Sequence, residues 1–213
     1  MEREGFVKTI LFTGYDGGYQ QLADLTVPLM KGYAAIHDIA YHIWNYPPRD
    51  LNIYWTGVAR GLYLLKDYER VIYLDVDQMI TNPERPPTVS PAYGFWASKD
   101  WGTDAVEPWQ FSACGWVAHQ DCIPMFEEVL AMEPDWRDKP FQEQGPWQEW
   151  VKNKPEGAFI NIWPRRMFNA VPDLVCPGQV PEPWQPGDWC AHLTMVGIQR
   201  RIEIFHEIKK LIR

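Results

Sequence analysis

The chain has 213 residues, 46% of them hydrophobic and 23% charged, which suits one substantial globular core and leaves little room for two ordinary domains. Its formal net charge of −8 lacks the basic footprint of a general nucleic-acid binder, although a bound metal could reverse the local sign of one site for an anionic ligand. The opening "MEREGFVKTILF" carries no long apolar leader and no run approaches membrane-spanning length, so a cytoplasmic protein without a membrane span is expected.

In chain order, "VKTILFTGYDGG" predicts a first strand ending near Thr13, then a glycine-rich loop. Leu22, Leu25, Leu29, Tyr33 and Ile36 keep helical spacing, with Pro28 either interrupting that helix or marking its start. "IAYHIW" (39–44) predicts a second strand, closed by "NYPPRD", and Val58, Leu62 and Leu65 define a helix face ahead of a third strand, "RVIYL". Strand, helix, strand, helix, strand implies right-handed crossovers and a largely parallel sheet. Ligands of such sheets bind beyond the carboxyl ends of the strands, where Thr13, Gly14 and Tyr15 and the run Asp75-Val76-Asp77 would meet.

The second half is less regular. "AYGFWA" (92–97), "CGWVAH" (114–119) and "AFINIW" (158–163) are predicted strands, and "MFEEVLAM" (125–132) is a predicted helix. "QGPWQEWVKN" forms a short helix with Trp147, Trp150 and Val151 on one face, and proline-rich loops run to residue 188. A final amphipathic helix buries Ile198, Ile202, Phe205, Ile208 and Leu211. With no linker in evidence, residues 1–213 read as a single α/β domain. Cys114, Cys122, Cys176 and Cys190 form no CxxC or zinc-like spacing and read as free thiols of a reducing compartment. The 12 Trp, 10 Tyr and 9 Phe serve mainly packing, with a few rings in "FWASKDWG" (95–102) reserved for stacking on sugars or bases.

The stretch that carries chemistry is "YERVIYLDVDQMITNP" (68–83), a core strand that delivers two carboxylates, Asp75 and Asp77, before the chain turns away. Residues two apart on an extended chain point the same way, roughly 6–7 Å apart. Two like charges at a sheet rim repel, and a divalent cation relieves that repulsion. Hard Mn²⁺ or Mg²⁺ is held by one or two carboxylates plus substrate phosphates, so such a half-built site suits a diphosphate. An isolated Asp-x-Asp is more often a turn cap beside a solvated acid, and only its placement after a buried strand favours the metal.

The longer segment "YWTGVARGLYLLKDYERVIYLDVDQMITNP" resembles the central motif of retaining GT-A-fold glycosyltransferases of the galactosyl/xylosyltransferase-like and glycogenin/lipopolysaccharide types. "KGYAAIHDIAY", "FSACGWVAH", "FQEQGPW", "WPRRMFNAV" and "PGDWCAHLTMVG" resemble further landmarks of these families in the same order, so the likeness spans nearly the whole chain. It implies one Rossmann-like nucleotide-diphospho-sugar transferase domain, a mainly parallel mixed sheet flanked by helices, with residues 1–110 as the nucleotide-binding half and 111–213 completing the metal and acceptor side. It also implies an enzyme that uses Mn²⁺, with Mg²⁺ as second choice, to move a hexose from a UDP-sugar to a hydroxyl of a glycan or glycoprotein, without nucleic acid. The size and aromatic content are similar to glycosyltransferase domains encoded by large algal viruses, which would place such an enzyme in the host cytoplasm.

Residue by residue, the resemblance implies that Asp75, Asp77 and His192 hold the metal. Thr13, Gly14 and Tyr15 would form the uridine pocket with Tyr15 on the base, and Val76 would line the donor site. Gly197 and Arg200 would meet the diphosphate, with Arg60 as a second cation and Asp100 on the sugar hydroxyls. Glu143 and Gln144 match the acidic-glutamine pair on the β-face of the donor sugar, where Glu143 acts as nucleophile or as electrostatic stabiliser. Each residue also has a plainer reading: a turn glycine at Gly14, a structural histidine at His192, a solvated Arg200, a helix N-terminal charge at Glu143. Asp38 stands where the families have glycine, Gly57 where they often have Lys or Arg, and Ser112 where they have asparagine. Two other readings compete. A haloacid-dehalogenase-like phosphatase also carries Asp-x-Asp after an apolar strand, but Met79 and the lack of a later "DD" depart from its pattern. A non-catalytic glycan-binding module would account for the tryptophans alone.

Overall fold

The computed structural model describes residues 7–44, 51–85, 93–100, 110–139, 142–153 and 159–212. Its elements run β1 (Thr9–Gly14), α1 (Gln20–Ile36), β2 (Ala40–Trp44), α2 (Thr56–Leu65), β3 (Arg70–Leu74), β4 (Gln78–Ile80), β5 (Phe95–Lys99) and β6 (Phe111–His119). They continue with α3 (Ile123–Ala131), α4 (Glu133–Trp136), α5 (Gln144–Asn153), β7 (Ile160–Trp163), β8 (Cys190–His192) and α6 (Ile198–Leu211).

Six strands make one sheet in the order β2-β1-β3-β6-β5-β7, and β4 pairs with β8 in a second, two-stranded sheet. β1 is parallel to both β2 and β3, β6 is antiparallel to β3 and β5, and β7 is parallel to β5. Only β6 therefore runs against the rest, which makes the sheet mixed but mainly parallel. All nine residues of β6 are buried, because it is an interior strand covered on both faces.

The two-residue period of the strands sorts the core into two layers. Ile10, Phe12, Val71, Phe95, Trp116 and Ala118 face one way and pack with Trp55, Val58 and Leu65 of the α2 segment, Phe126 of α3 and Trp147 of α5. Leu11, Ile72, Trp96 and Val117 alternate to the other face, against Met30 and Tyr33 of α1 and against Phe168 and Trp189. A ring network fills the first layer: Trp147 stacks on Phe95 at 4.7 Å between centroids, and Phe126 meets Trp147 edge-on at the same distance. Gly61 is where α2 comes closest, since a Cβ there would lie 2.5 Å from Trp116 and 2.7 Å from Phe126.

Several sequence expectations change in detail. α1 runs unbroken through Pro28, which sits on its exposed side, where a carbonyl left without its helical partner can bond water. Ile36 and Leu211, expected on helix faces, are exposed, and Ile204 is buried on α6 instead. The helix 125–132 starts two residues earlier, at Ile123, and the strand 114–119 starts at Phe111. Residues 92 and 158 of the predicted strands, 45–50 of the closing turn, and Trp101 and Gly102 of the aromatic run lie outside the described residues. β4 and β8, three residues each, have no periodicity to betray them and lie outside the predicted elements.

The departure at Asp38 has a direct explanation. Asp38 has φ 52°, the left-handed position that ends α1, and Ile39 N–H donates to Ala34 O at 3.0 Å, the long bond of a Schellman cap. Glycine is the default there, and aspartate is among the few other residues that tolerate it.

Candidate active site and metal centre

A cleft of about 440 Å³ opens at the carboxyl ends of β1, β2 and β3. Because β6 is antiparallel, it brings its amino end, Ser112 to Cys114, to the same rim. Asp75 N–H donates to Cys114 O at 2.8 Å and lies 3.0 Å from Gln78 Oε1, so β3 hands the chain directly into the cleft floor. Gln78 N–H returns to Asp75 O at 2.9 Å, a tight turn that leads into β4. Thr26 Oγ1 of α1 donates to Val76 O at 2.7 Å and fixes the residue between the two acids.

The pairing of β4 with β8 sets Gln78 opposite His192, and Leu193 N–H donates to Asp77 O at 2.9 Å. Asp75, Asp77 and His192 thereby offer one ligand atom each within 4.8 Å of one another. His192 Nε2 lies 3.4 Å from Asp77 Oδ1, and Nδ1 meets Asn169 Oδ1 at 2.8 Å. With Nδ1–H donating to that amide oxygen, loss of the Nε2 proton would leave a lone pair facing the carboxylates. The "GDW" segment braces this arrangement: Asp188 binds Arg166 at 2.7 Å, Trp189 is buried, and Trp189 O accepts from Thr81 N–H at 2.8 Å.

Each acid has a different environment. The Tyr73 hydroxyl donates to Asp75 Oδ1, and the Cβ of any residue but glycine at position 57 would lie 3.1 Å from Tyr73 Cζ. Gly57 therefore lets this tyrosine approach without the shift that a side chain there would require. Burial, and then the Asp77 charge, push the Asp75 pKa up to about 7 despite the Tyr73 bond. Burial also opposes ionisation of Asp77, but the His192 charge and the Arg201 guanidinium outweigh it and hold its pKa below the usual range. Burial disfavours a charged His192, yet Cys114 and Asp77 raise its pKa well above an ordinary histidine's.

The group fits a divalent cation. Two carboxylates and an imidazole are a hard-to-borderline donor set, and among the described residues no donor makes a hydrogen bond to the buried Asp77 Oδ1. Glu143 also lines the cleft; burial, with a further push from Asp75, raises its pKa to about 8. Gln142, just before it, has φ 27°, an unusual backbone that turns Glu143 to the start of α5. Gln144 is fixed on both sides, accepting from Ala113 N–H at 3.1 Å and donating to Asp100 Oδ2 at 3.1 Å.

Gly14, Tyr15, Val76, Glu143 and Gln144 line the cleft with the three candidate ligands. Thr13 is buried in β1 beneath it. Tyr15 packs with Ala23 and Val76 at the rim, and its N–H donates to Trp44 O at 3.0 Å. Asp100 meets Gln144 and is not among the described residues that line the cleft. Arg60 is not a lining residue either: its guanidinium lies 4.4 Å from the Trp44 ring centre and 4.5 Å from that of Tyr63, with Nη2 2.7 Å from His42 Nε2. Gly197 caps α6, and Arg200 faces away, bonded to Glu203 at 3.0 Å and Glu207 at 3.3 Å. Its neighbour Arg201 enters the cleft instead, with Nη1 2.5 Å from Asp77 Oδ2. Arg201 lies four residues before the buried Phe205 and seven before Ile208, so the helix period singles it out from Arg200. Tyr73 and Asn169 were also missed, the first read as part of an apolar run, the second quoted in a motif without a role.

No family model matches the chain, and no curated protein matches it in sequence. Solved structures do. A glycosyltransferase involved in the glycosylation of the major capsid of PBCV-1 superposes with a TM-score of 0.72 at 16% identity, over 93% of this chain and 98% of that one. The chain has the GT-A glycosyltransferase fold. The GT-A galactosyltransferase LgtC, solved with donor and acceptor sugar analogues, matches at TM-score 0.57 and 14% identity over 93% of this chain and 95% of its own. A Drosophila β1,4-galactosyltransferase 7 mutant, solved with manganese, UDP-Gal and xylobiose, matches at TM-score 0.54 and 12% identity over 89% and 72%. No helix among the described residues is long and apolar enough to cross a membrane.

Proposed function

We propose that this protein is a metal-dependent, retaining glycosyltransferase that moves a hexose from a UDP-sugar to a hydroxyl of a glycan or glycoprotein. The observation that carries it is the convergence of Asp75, Asp77 and His192 at the floor of the cleft in a GT-A fold. The neighbours solved with manganese and UDP-Gal, and with donor and acceptor sugar analogues, support the donor class and the metal. A divalent cation held by the three side chains, Mn²⁺ before Mg²⁺, would neutralise charge on the leaving diphosphate.

The protein's own residues divide the rest of the work. Residues 1–110 supply the nucleotide side through Gly14, Tyr15 and Val76, with Thr13 beneath, and 111–213 complete it with Glu143, Gln144 and His192. Arg201 takes the place first given to Arg200 as the cation nearest the diphosphate. Glu143 faces the sugar, and its carboxyl beside the reacting centre suits either attack on that centre or stabilisation of its positive charge. Gln144, locked by Ala113 and Asp100, holds the wall against which the sugar sits. The acceptor hydroxyl then bonds to the anomeric carbon on the face that the diphosphate has vacated, and its proton passes to the departing diphosphate. The likeness to the PBCV-1 capsid enzyme supports a viral setting, and the host cytoplasm is the compartment we propose.

Phosphatase and lectin readings gain no support: the acids are completed by a histidine and an arginine within a transferase fold. A panel of UDP-, GDP- and TDP-sugars with Mn²⁺, scored for nucleotide release, tests the proposal. Release of UDP that stops with chelator is expected. Release from no nucleotide sugar, or phosphate release from simple esters, would count against it.

A further inference from the structure

The first turn of α6 carries two arginines with different duties. Arg200 is tied to Glu203 and Glu207 on the outside, whereas the side chain of Arg201 is only 13% exposed and reaches Asp77. Its Nε donates to Val196 O at 2.7 Å, and its guanidinium lies 5.5 Å from the Tyr19 ring centre. Its Nη1, 2.5 Å from Asp77 Oδ2, joins it to the acidic cluster.

Both carboxylates of the cluster therefore already have a donor from the protein: the Tyr73 hydroxyl on Asp75 and the Arg201 guanidinium on Asp77. A buried carboxylate needs such a partner, because ionisation without one is costly. A guanidinium on Asp77 also opposes a divalent cation, by withdrawing electron density from the ligand and by direct repulsion between like charges.

We propose that Arg201 is a built-in counter-cation that competes with the metal for Asp77. Metal binding releases its Nη1 end into the cleft, where phosphate oxygens of the incoming ligand receive it. The bond from Nε to Val196 O holds the near end of the guanidinium, so the release is a local swing. Metal and phosphate ligand are thereby coupled beyond their direct contact: each removes an obstacle to the other. This rests on the reading of Asp75, Asp77 and His192 as the metal ligands.

The test is Mn²⁺ binding, followed by electron paramagnetic resonance, for the wild type, Arg201→Gln and Arg201→Lys, with and without UDP. Without UDP, Arg201→Gln should bind Mn²⁺ on the order of tenfold more tightly, and at saturating Mn²⁺ it should bind UDP more weakly by a similar factor. Arg201→Lys should stay near the wild type in both. Unchanged or weaker Mn²⁺ binding by a folded Arg201→Gln would overturn the proposal, leaving at most a phosphate contact. Should no protein in the set bind Mn²⁺, the metal reading falls and this inference with it. The wild type offers a check that needs no variant: Mg²⁺ titration should shift the arginine Nε–H resonance that sequential assignment gives to Arg201. Saturation with metal and no such shift would overturn the proposal as well.

Discussion

His192 Nε2 lies 3.4 Å from Asp77 Oδ1 although the two residues belong to opposite halves of the chain. The short pair of β4 and β8, which sets Gln78 opposite His192, is what brings them together. Asn169 then orients the imidazole, so the geometry depends on a residue that touches neither acid.

Asn169 should therefore act as a positioning residue. Asn169→Ala removes the acceptor of Nδ1–H and frees the ring to turn. Loss of such a partner typically weakens metal binding by about 10–100-fold. Mn²⁺ titration against the wild type checks this, and Asn169→Asp, which keeps an acceptor oxygen, should lose less.

Tyr73→Phe should move the pH at which metal binds. The hydroxyl donates to ionised Asp75 and so lowers a pKa that burial and Asp77 raise to about 7. Without it the pKa rises further, and because binding needs the carboxylate, the midpoint of Mn²⁺ affinity against pH should shift upward. An unchanged midpoint would separate Tyr73 from the site.

The metal-free protein should lose stability as pH rises through the neutral range. Asp75, with a pKa near 7, and Glu143, with a pKa of about 8, hold protons in the folded state where the unfolded chain has released them. The folded state then binds more protons between about pH 4 and pH 8, so unfolding becomes easier as pH climbs through that window. Thermal melts should show a falling midpoint from mildly acidic to mildly basic pH, with the upper part of the fall flattened in Glu143→Gln. Saturating Mn²⁺, which replaces the proton at Asp75, should recover stability on the basic side.

Gly61→Ala tests the packing that fixes the helix before the motif. The added methyl meets Trp116 and Phe126 well inside contact distance, both at the centre of the aromatic layer. Overpacking of this kind costs typically about 1–3 kcal/mol, which a denaturant midpoint would register.

Much of this was legible in the residues. The alternation of strands and helices and the two acids after "RVIYL" pointed to the strand ends of a mainly parallel sheet, and only the family resemblance of "PGDWCAH" added the histidine and the metal. What escaped lies where no periodic signal exists. β4 and β8 are too short to show a pattern, so the contact that joins the acids to the histidine had no local trace. Tyr73 looked like one more apolar strand residue, since only its partner at Gly57 reveals the hydroxyl's task. Arg200 and Arg201 are adjacent and alike, and the choice between them is a rotation of about 100° about the helix axis, which the buried face of α6 decides.

The most direct test of a metal-dependent nucleotide-sugar site is calorimetry of UDP binding with and without Mn²⁺, for the wild type and Asp77→Asn. UDP should bind the wild type with Mn²⁺ and far more weakly without it, and Asp77→Asn should remove the dependence on metal. UDP binding that is equally strong without metal, or that keeps its full Mn²⁺ dependence in folded Asp77→Asn, would contradict the assignment of Asp75, Asp77 and His192.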